Sequence, residues 1–86
     1  MKQFTFVVRD ELGIHARPAG LLAKLAKEYK DTVITVTKGN ETFKASQLMK
    51  LMSLGVKKDN EVTVAADGPS EDDAIAAVQK FFEENL

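Results

Sequence analysis

Apolar residues recur along the chain with two different periods, and the changes of period divide it into seven segments. From Gln3 to Arg9, Phe4, Phe6 and Val8 fall on one side and Thr5, Val7 and Arg9 on the other. This alternation is that of a half-buried strand. From Ala16 the spacing becomes helical. Ala19, Leu22, Leu25, Ala26 and Tyr29 share a face, opposite Lys24, Lys27, Glu28 and Lys30. Lys27 and Lys30 are expected in the last turn, where cations suit the helix dipole. Gly20 costs about 1 kcal/mol relative to Ala within a helix, so it predicts close packing against a neighbour.

Thr32 to Thr37 (TVITVT) is dense in β-branched residues and predicts a second strand. Lys38-Gly39-Asn40 supplies a turn, and Glu41 to Ala45 completes a hairpin. Ser46 to Leu54 reads as a short helix, with Ser46 as its N-cap and Gly55 as the left-handed residue that ends it. Leu48, Met49, Leu51, Met52 and Leu54 wrap too far round this helix for one buried stripe. Part of that surface is expected to be exposed and to dock a partner. Glu61 to Ala66 (EVTVAA) is a fourth strand, and Ser70 opens the last helix. Ser70 with Asp73 predicts a capping box. Glu71, Asp72 and Asp73 place negative charge in the first turn, and Ile75, Val78, Phe81 or Phe82, and Leu86 form the buried face.

The order β-α-β-β-α-β-α predicts an α+β domain in two layers, with antiparallel strands in a mixed order and the helices on one face of the sheet. At 86 residues the chain is expected to form one domain, 1–86, with a small core.

Composition removes several function classes. Lys and Arg total 12 against 13 Asp and Glu, without the basic excess that nucleic-acid binding calls for. With no Cys and one His, thiolate chemistry is absent and a metal site has few ligands to draw on. No apolar run approaches the roughly 18 residues of a membrane span, and the first eight residues read as a strand rather than a signal peptide. A cytoplasmic protein without membrane insertion is expected.

The chemistry concentrates in Gly13-Ile14-His15-Ala16-Arg17-Pro18-Ala19. Proline in the first turn of a helix forfeits no hydrogen bond. The free N–H groups there, at Ala16 and Arg17, favour negative charge with the dipole behind them. The same field disfavours imidazolium, which keeps His15 neutral and nucleophilic near pH 7. Arg17 offers a planar fork suited to phosphate oxygens, and Gly13 permits an unusual backbone just before the ring. These residues together suit a side chain that receives and holds a phosphoryl group. No nucleophile elbow, P-loop or GxGxxG motif competes with that reading.

The histidine stretch resembles the active-site signature of HPr, the histidine-containing phosphocarrier of the bacterial sugar phosphotransferase system. The likeness continues through Leu51-Met52-Ser53-Leu54-Gly55 and spans the chain in length and element order. The resemblance implies an open-faced β-sandwich, a four-stranded antiparallel sheet covered on one face by three helices. It implies that His15 accepts a phosphoryl group at Nδ1 from phosphorylated enzyme I and passes it to the IIA domain of a sugar permease, with Arg17 assisting. No cofactor of its own is implied, and a monomer suits a carrier that docks and leaves repeatedly.

Family members from Gram-positive bacteria often carry a regulatory serine just ahead of the second helix, a substrate for a serine kinase and a handle for a transcriptional regulator. Counted back from Met52-Ser53-Leu54-Gly55, that position falls on Gln47, and Ser46 lies one residue early. The family's apolar docking pair falls on Leu48 and Met49. A regulatory docking module controlled through Ser46 is therefore the competing expectation. A small α+β nucleic-acid- or ligand-binding domain is a more distant one, with only Phe43 as an aromatic residue on a candidate inner strand.

Overall fold

A computed structural model describes residues 1–11, 13, 16–53 and 55–86, with Leu48 described through its backbone. The elements are β1 (Lys2–Val7), α1 (Ala16–Glu28), β2 (Val33–Lys38), β3 (Glu41–Lys44), α2 (Leu48–Ser53), β4 (Glu61–Asp67) and α3 (Glu71–Asn85). The strands run antiparallel in the order β1-β4-β2-β3. The β2–β3 hairpin turns through Gly39 and Asn40, with Lys38 facing Glu41.

Register explains the two faces. Phe4 faces Val64, Val64 faces Val36, and Val36 faces Phe43. This apolar row crosses all four strands on the side covered by the helices. One residue along, Thr5, Thr63, Thr37 and Thr42 form a parallel row on the other side. Threonine suits an uncovered face because its branched stem packs on neighbouring strands while its hydroxyl meets water. The Thr37 and Thr42 hydroxyls share a 2.8 Å hydrogen bond.

The core lies between the apolar row and the helices. Leu22 and Ala26 of α1, Leu51 of α2, and Val78 and Phe82 of α3 are buried against Val36, Val62 and Val64. Phe82 is its aromatic centre, edge-on to Phe4, Phe6 and Phe81 at centroid distances of 5.7, 5.4 and 6.1 Å.

Four expectations change. First, β1 stops at Val7 because the chain then changes partners: Val8 N–H donates to the Asn60 carbonyl and Arg9 N–H to that of Leu86. Second, α1 ends at Glu28, so Lys27 lies in its last turn and Lys30 beyond it. Third, Gly20 is not a packing contact, since a Cβ built there meets nothing within 4 Å. Fourth, neither serine caps as expected. Ala45 still bonds to β2 through the Ile34 carbonyl, so the chain needs a further turn before a helix can begin. In consequence α2 starts at Leu48, and the Gln47 carbonyl accepts its first bond, from Leu51. Gly55 does take positive φ, +65°, after this helix. Ser70 sits at the N-cap of α3, but its hydroxyl makes no capping bond and donates instead to Asp31. Thr32 completes that junction: its Oγ1 donates to Asp31 and accepts from the Ser70 N–H.

Candidate functional site

The described part of the loop from β1 to α1 is held at Arg9, Asp10 and Gly13. The Leu86 carbonyl accepts from Arg9 N–H at 2.5 Å and Asp10 N–H at 2.8 Å, which fixes the end of α3 beside the loop. Arg9 reinforces the junction by donating to the Glu83 carbonyl and lying over the Phe6 ring. Asp10 and Gly13 close a turn through Gly13 N–H and the Asp10 carbonyl. Gly13 is buried with φ +65°, and its Cα faces the Val56–Lys57 backbone so closely that a Cβ would overlap the Val56 carbonyl. The unusual backbone expected at Gly13 is present, and its neighbour across the gap is the segment leading into β4.

His15 lies outside the described residues, so the geometry begins at Ala16, the first residue of α1. Ala16 and Arg17 are exposed, and Pro18 is buried in the first turn. That turn contains no acidic residue, whereas the first turn of α3 holds Glu71, Asp72 and Asp73. The positive end of the α3 dipole is met by carboxylates of its own first turn; that of α1 has none in its own first turn. Arg17 forms no ion pair with a described carboxylate. It opens onto a cleft of about 350 Å³ lined also by Asp10, Pro18, Leu21 and Asn85. The part played by Asp10 and Asn85 had no sequence signal, since only the fold of α3 back onto the loop brings Asn85 to Arg17.

The second group of candidate residues lies around α2, which packs on α1. Met49 is 76% exposed and Met52 38%, while Leu51 is fully buried. The expected surplus of apolar surface on this helix is therefore present at the two methionines; the side chain of Leu48, like Leu54, lies outside the described residues. Leu21 of α1 is a further exposed large apolar residue, at 46%. Ser46 is half-buried, one residue before Gln47, and lines a separate pocket with Lys27, Lys30 and Lys44. Among the described residues no helix is long and apolar enough to cross a membrane.

A four-stranded antiparallel sheet with three helices on one face, and an α1 that follows His15 in the sequence and has no acidic residue in its first turn, are the features of a small phosphocarrier-type domain. Comparison with known proteins gives the family. Residues 2–84 match the model described as the PTS HPr component phosphorylation site, and the chain belongs to the HPr family. It is 38% identical over 85 residues to phosphocarrier protein HPr of Mycoplasma genitalium, a match covering 99% of this chain and 97% of that one. Among solved structures, the mycoplasma histidine-containing phosphocarrier protein superimposes with a TM-score of 0.92 at 31% identity, over 96% of this chain and 93% of that one. HPr-C-His from Thermoanaerobacter tengcongensis does so with a TM-score of 0.91 at 37% identity, over 98% and 93%. The open-faced β-sandwich implied by the histidine motif is thus the fold of this chain.

Proposed function

We propose that the protein is a cytoplasmic, monomeric carrier that takes a phosphoryl group onto His15 from phosphorylated enzyme I and delivers it to the IIA domain of a sugar permease. The Nδ1 lone pair of the neutral imidazole attacks phosphorus. The bond from phosphorus to the donor breaks, its electron pair stays with the donor, and a new P–N bond holds the group on His15. Delivery is the same displacement run toward the acceptor. Arg17 and the N–H groups of Ala16 and Arg17 stabilise the equatorial oxygens, where charge accumulates during in-line transfer. The observation that supports this reading is the first turn of α1: it holds no acidic residue, and its Arg17 forms no ion pair with a described carboxylate, whereas the first turn of α3 holds Glu71, Asp72 and Asp73. The exposed Met49, with Leu48 beside it, serves as the apolar seat for both partners in turn. A carrier must release each partner, which favours a small adaptable contact over an extensive one.

The reading is tested by loading the protein with phosphoenolpyruvate and enzyme I, removing the donor, and adding a IIA domain. The account expects loss of label from this protein to match gain by the IIA domain, with no release as inorganic phosphate on the same timescale. Label that never leaves, or that reaches IIA equally fast without this protein, contradicts it.

A second reading places regulation at Ser46 through a serine kinase and a transcriptional regulator. It is favoured by the half-exposed position of Ser46 beside three lysines, which would receive a phosphoserine. With Gln47 directly before α2, such a group would stand off the helix start and on the lysine side. Kinase treatment of wild type and Ser46→Ala decides this reading, which fails when both are modified equally or neither is.

A further inference from the structure

The pocket beside Ser46 has a chemistry the carrier role leaves unused. Its volume is about 300 Å³, at the lower end of small-molecule sites. Lys27 comes from α1, Lys30 from the turn after it, and Lys44 from the end of β3. No carboxylate lines the pocket, although the chain has 13 acidic residues against 12 basic ones. Nor does any described carboxylate form an ion pair with these lysines. Tyr29 and Ser46 line the same pocket, and Val33, 48% exposed, gives it an apolar part.

Dipole compensation accounts for only part of this charge. The carbonyl end of a helix is worth roughly half an elementary negative charge, against three full positive ones. Lys44 moreover arrives from a different element, brought alongside by the β2–β3 hairpin. Three lysines lining one pocket with Tyr29, Thr32 and Ser46, and with Val33 as its exposed apolar residue, suit a small molecule bearing a phosphate monoester. The dianion meets the lysines and its carbon skeleton rests on the exposed Val33.

We propose that this pocket binds a phosphorylated small metabolite, at a site distinct from the His15 end of the molecule. The two lie at opposite ends of α1, whose 13 residues span about 20 Å. A phosphate carried covalently on Ser46 would occupy the same space, so the two sources of the group exclude each other.

The test is a titration of the protein, followed through its backbone amide resonances, with glucose 6-phosphate, inorganic phosphate and glucose. Saturable shifts at Lys27–Ile34 and Lys44–Gln47 with glucose 6-phosphate, weaker ones with phosphate and none with glucose are expected. A Lys30→Gln/Lys44→Gln double variant should lose affinity by at least about 10-fold, as for loss of a charge-assisted bond, whereas Lys24→Gln, outside the pocket, should not. Ser46→Ala should retain binding of the free metabolite, and Ser46→Asp, with its own anion in the pocket, should weaken it. Shifts confined to Ala16–Ala19, equal response to glucose, or an unchanged double variant overturns the proposal. Because the amide shifts are read on the wild-type protein, localisation does not depend on any variant folding.

Discussion

Replacing Gly20 and Gly13 by alanine is chemically one change, yet the structure gives the two opposite signs. At Gly20, within α1, an added methyl meets nothing within 4 Å. The effect is then the difference in helix propensity, a gain of about 0.8–1 kcal/mol. At Gly13 two costs add. Holding a non-glycine residue in the left-handed region costs about 1–2 kcal/mol. The new Cβ would also stand 2.6 Å from the Lys57 Cα, about 1 Å inside ordinary carbon–carbon contact. Relief requires movement of backbone rather than a side-chain rotation, an overpacking cost of about 1–3 kcal/mol. The sum is a loss of about 2–5 kcal/mol. For a chain of this size the urea dependence of stability is close to 1 kcal/mol per molar. Gly20→Ala should therefore raise the midpoint of urea unfolding by about 0.8–1 M, and Gly13→Ala should lower it by about 2 M or more. A Gly20→Ala midpoint that falls would show a close neighbour that the structure lacks. A Gly13→Ala midpoint within about 0.5 M of wild type would contradict the close packing of the Val56–Lys57 backbone on Gly13.

Phe82→Ala removes the ring shared by Phe4, Phe6 and Phe81 and should cost about 3–5 kcal/mol, read as a large fall in Tm or failure to fold; a loss below about 1 kcal/mol would deny Phe82 its central place. Thr32→Val keeps shape but leaves the Ser70 N–H without its acceptor and Asp31 with the Ser70 hydroxyl alone, so a loss of about 1–3 kcal/mol is expected in the same measurement. The Glu71 carboxyl is held below its ordinary value of 4.5, chiefly by its hydrogen bond from the Met1 ammonium. A pKa lower in the folded state makes its contribution present above pH 4.5 and lost as the pH falls through the folded value. The stability difference between wild type and Glu71→Gln should accordingly shrink on acidification below about pH 4.5; a difference that is flat or grows there contradicts the pairing.

Strands were the most legible part of the chain because period-two alternation carries both existence and orientation. Phe4, Phe6 and Val8 on one side and Thr5 and Val7 on the other already specify which face of β1 is covered. What stayed hidden depends on residues distant in sequence. Ser70 followed by Asp73 has the spacing of a local cap, but Asp31, 39 positions away, takes the hydroxyl instead. Ser46 looked like a helix start until the continued pairing of Ala45 with β2 displaced that start to Leu48. Gly20 misled for another reason: close packing is one use of a helical glycine, and nothing local distinguishes it from simple tolerance. At the candidate site, Arg17 and the proline-containing first turn were readable because helix starts have local rules. The Leu86 carbonyl that pins Arg9 and Asp10, and the arrival of Lys44 beside Lys27 and Lys30, required the fold.

The central claim is that His15 takes the phosphoryl group with Arg17 holding its oxygens. Peptide-resolved mass spectrometry after brief incubation with phosphoenolpyruvate and enzyme I tests it directly, with the wild type, His15→Ala and Arg17→Ala side by side. The account predicts a single acid-labile phosphoryl group on the peptide containing His15 and none in His15→Ala. In Arg17→Ala loading should slow by about 10- to 150-fold, the equivalent of one charged hydrogen bond worth about 1.5–3 kcal/mol. A phosphoryl group on any other residue, or an Arg17→Ala protein loaded at the wild-type rate, would contradict it.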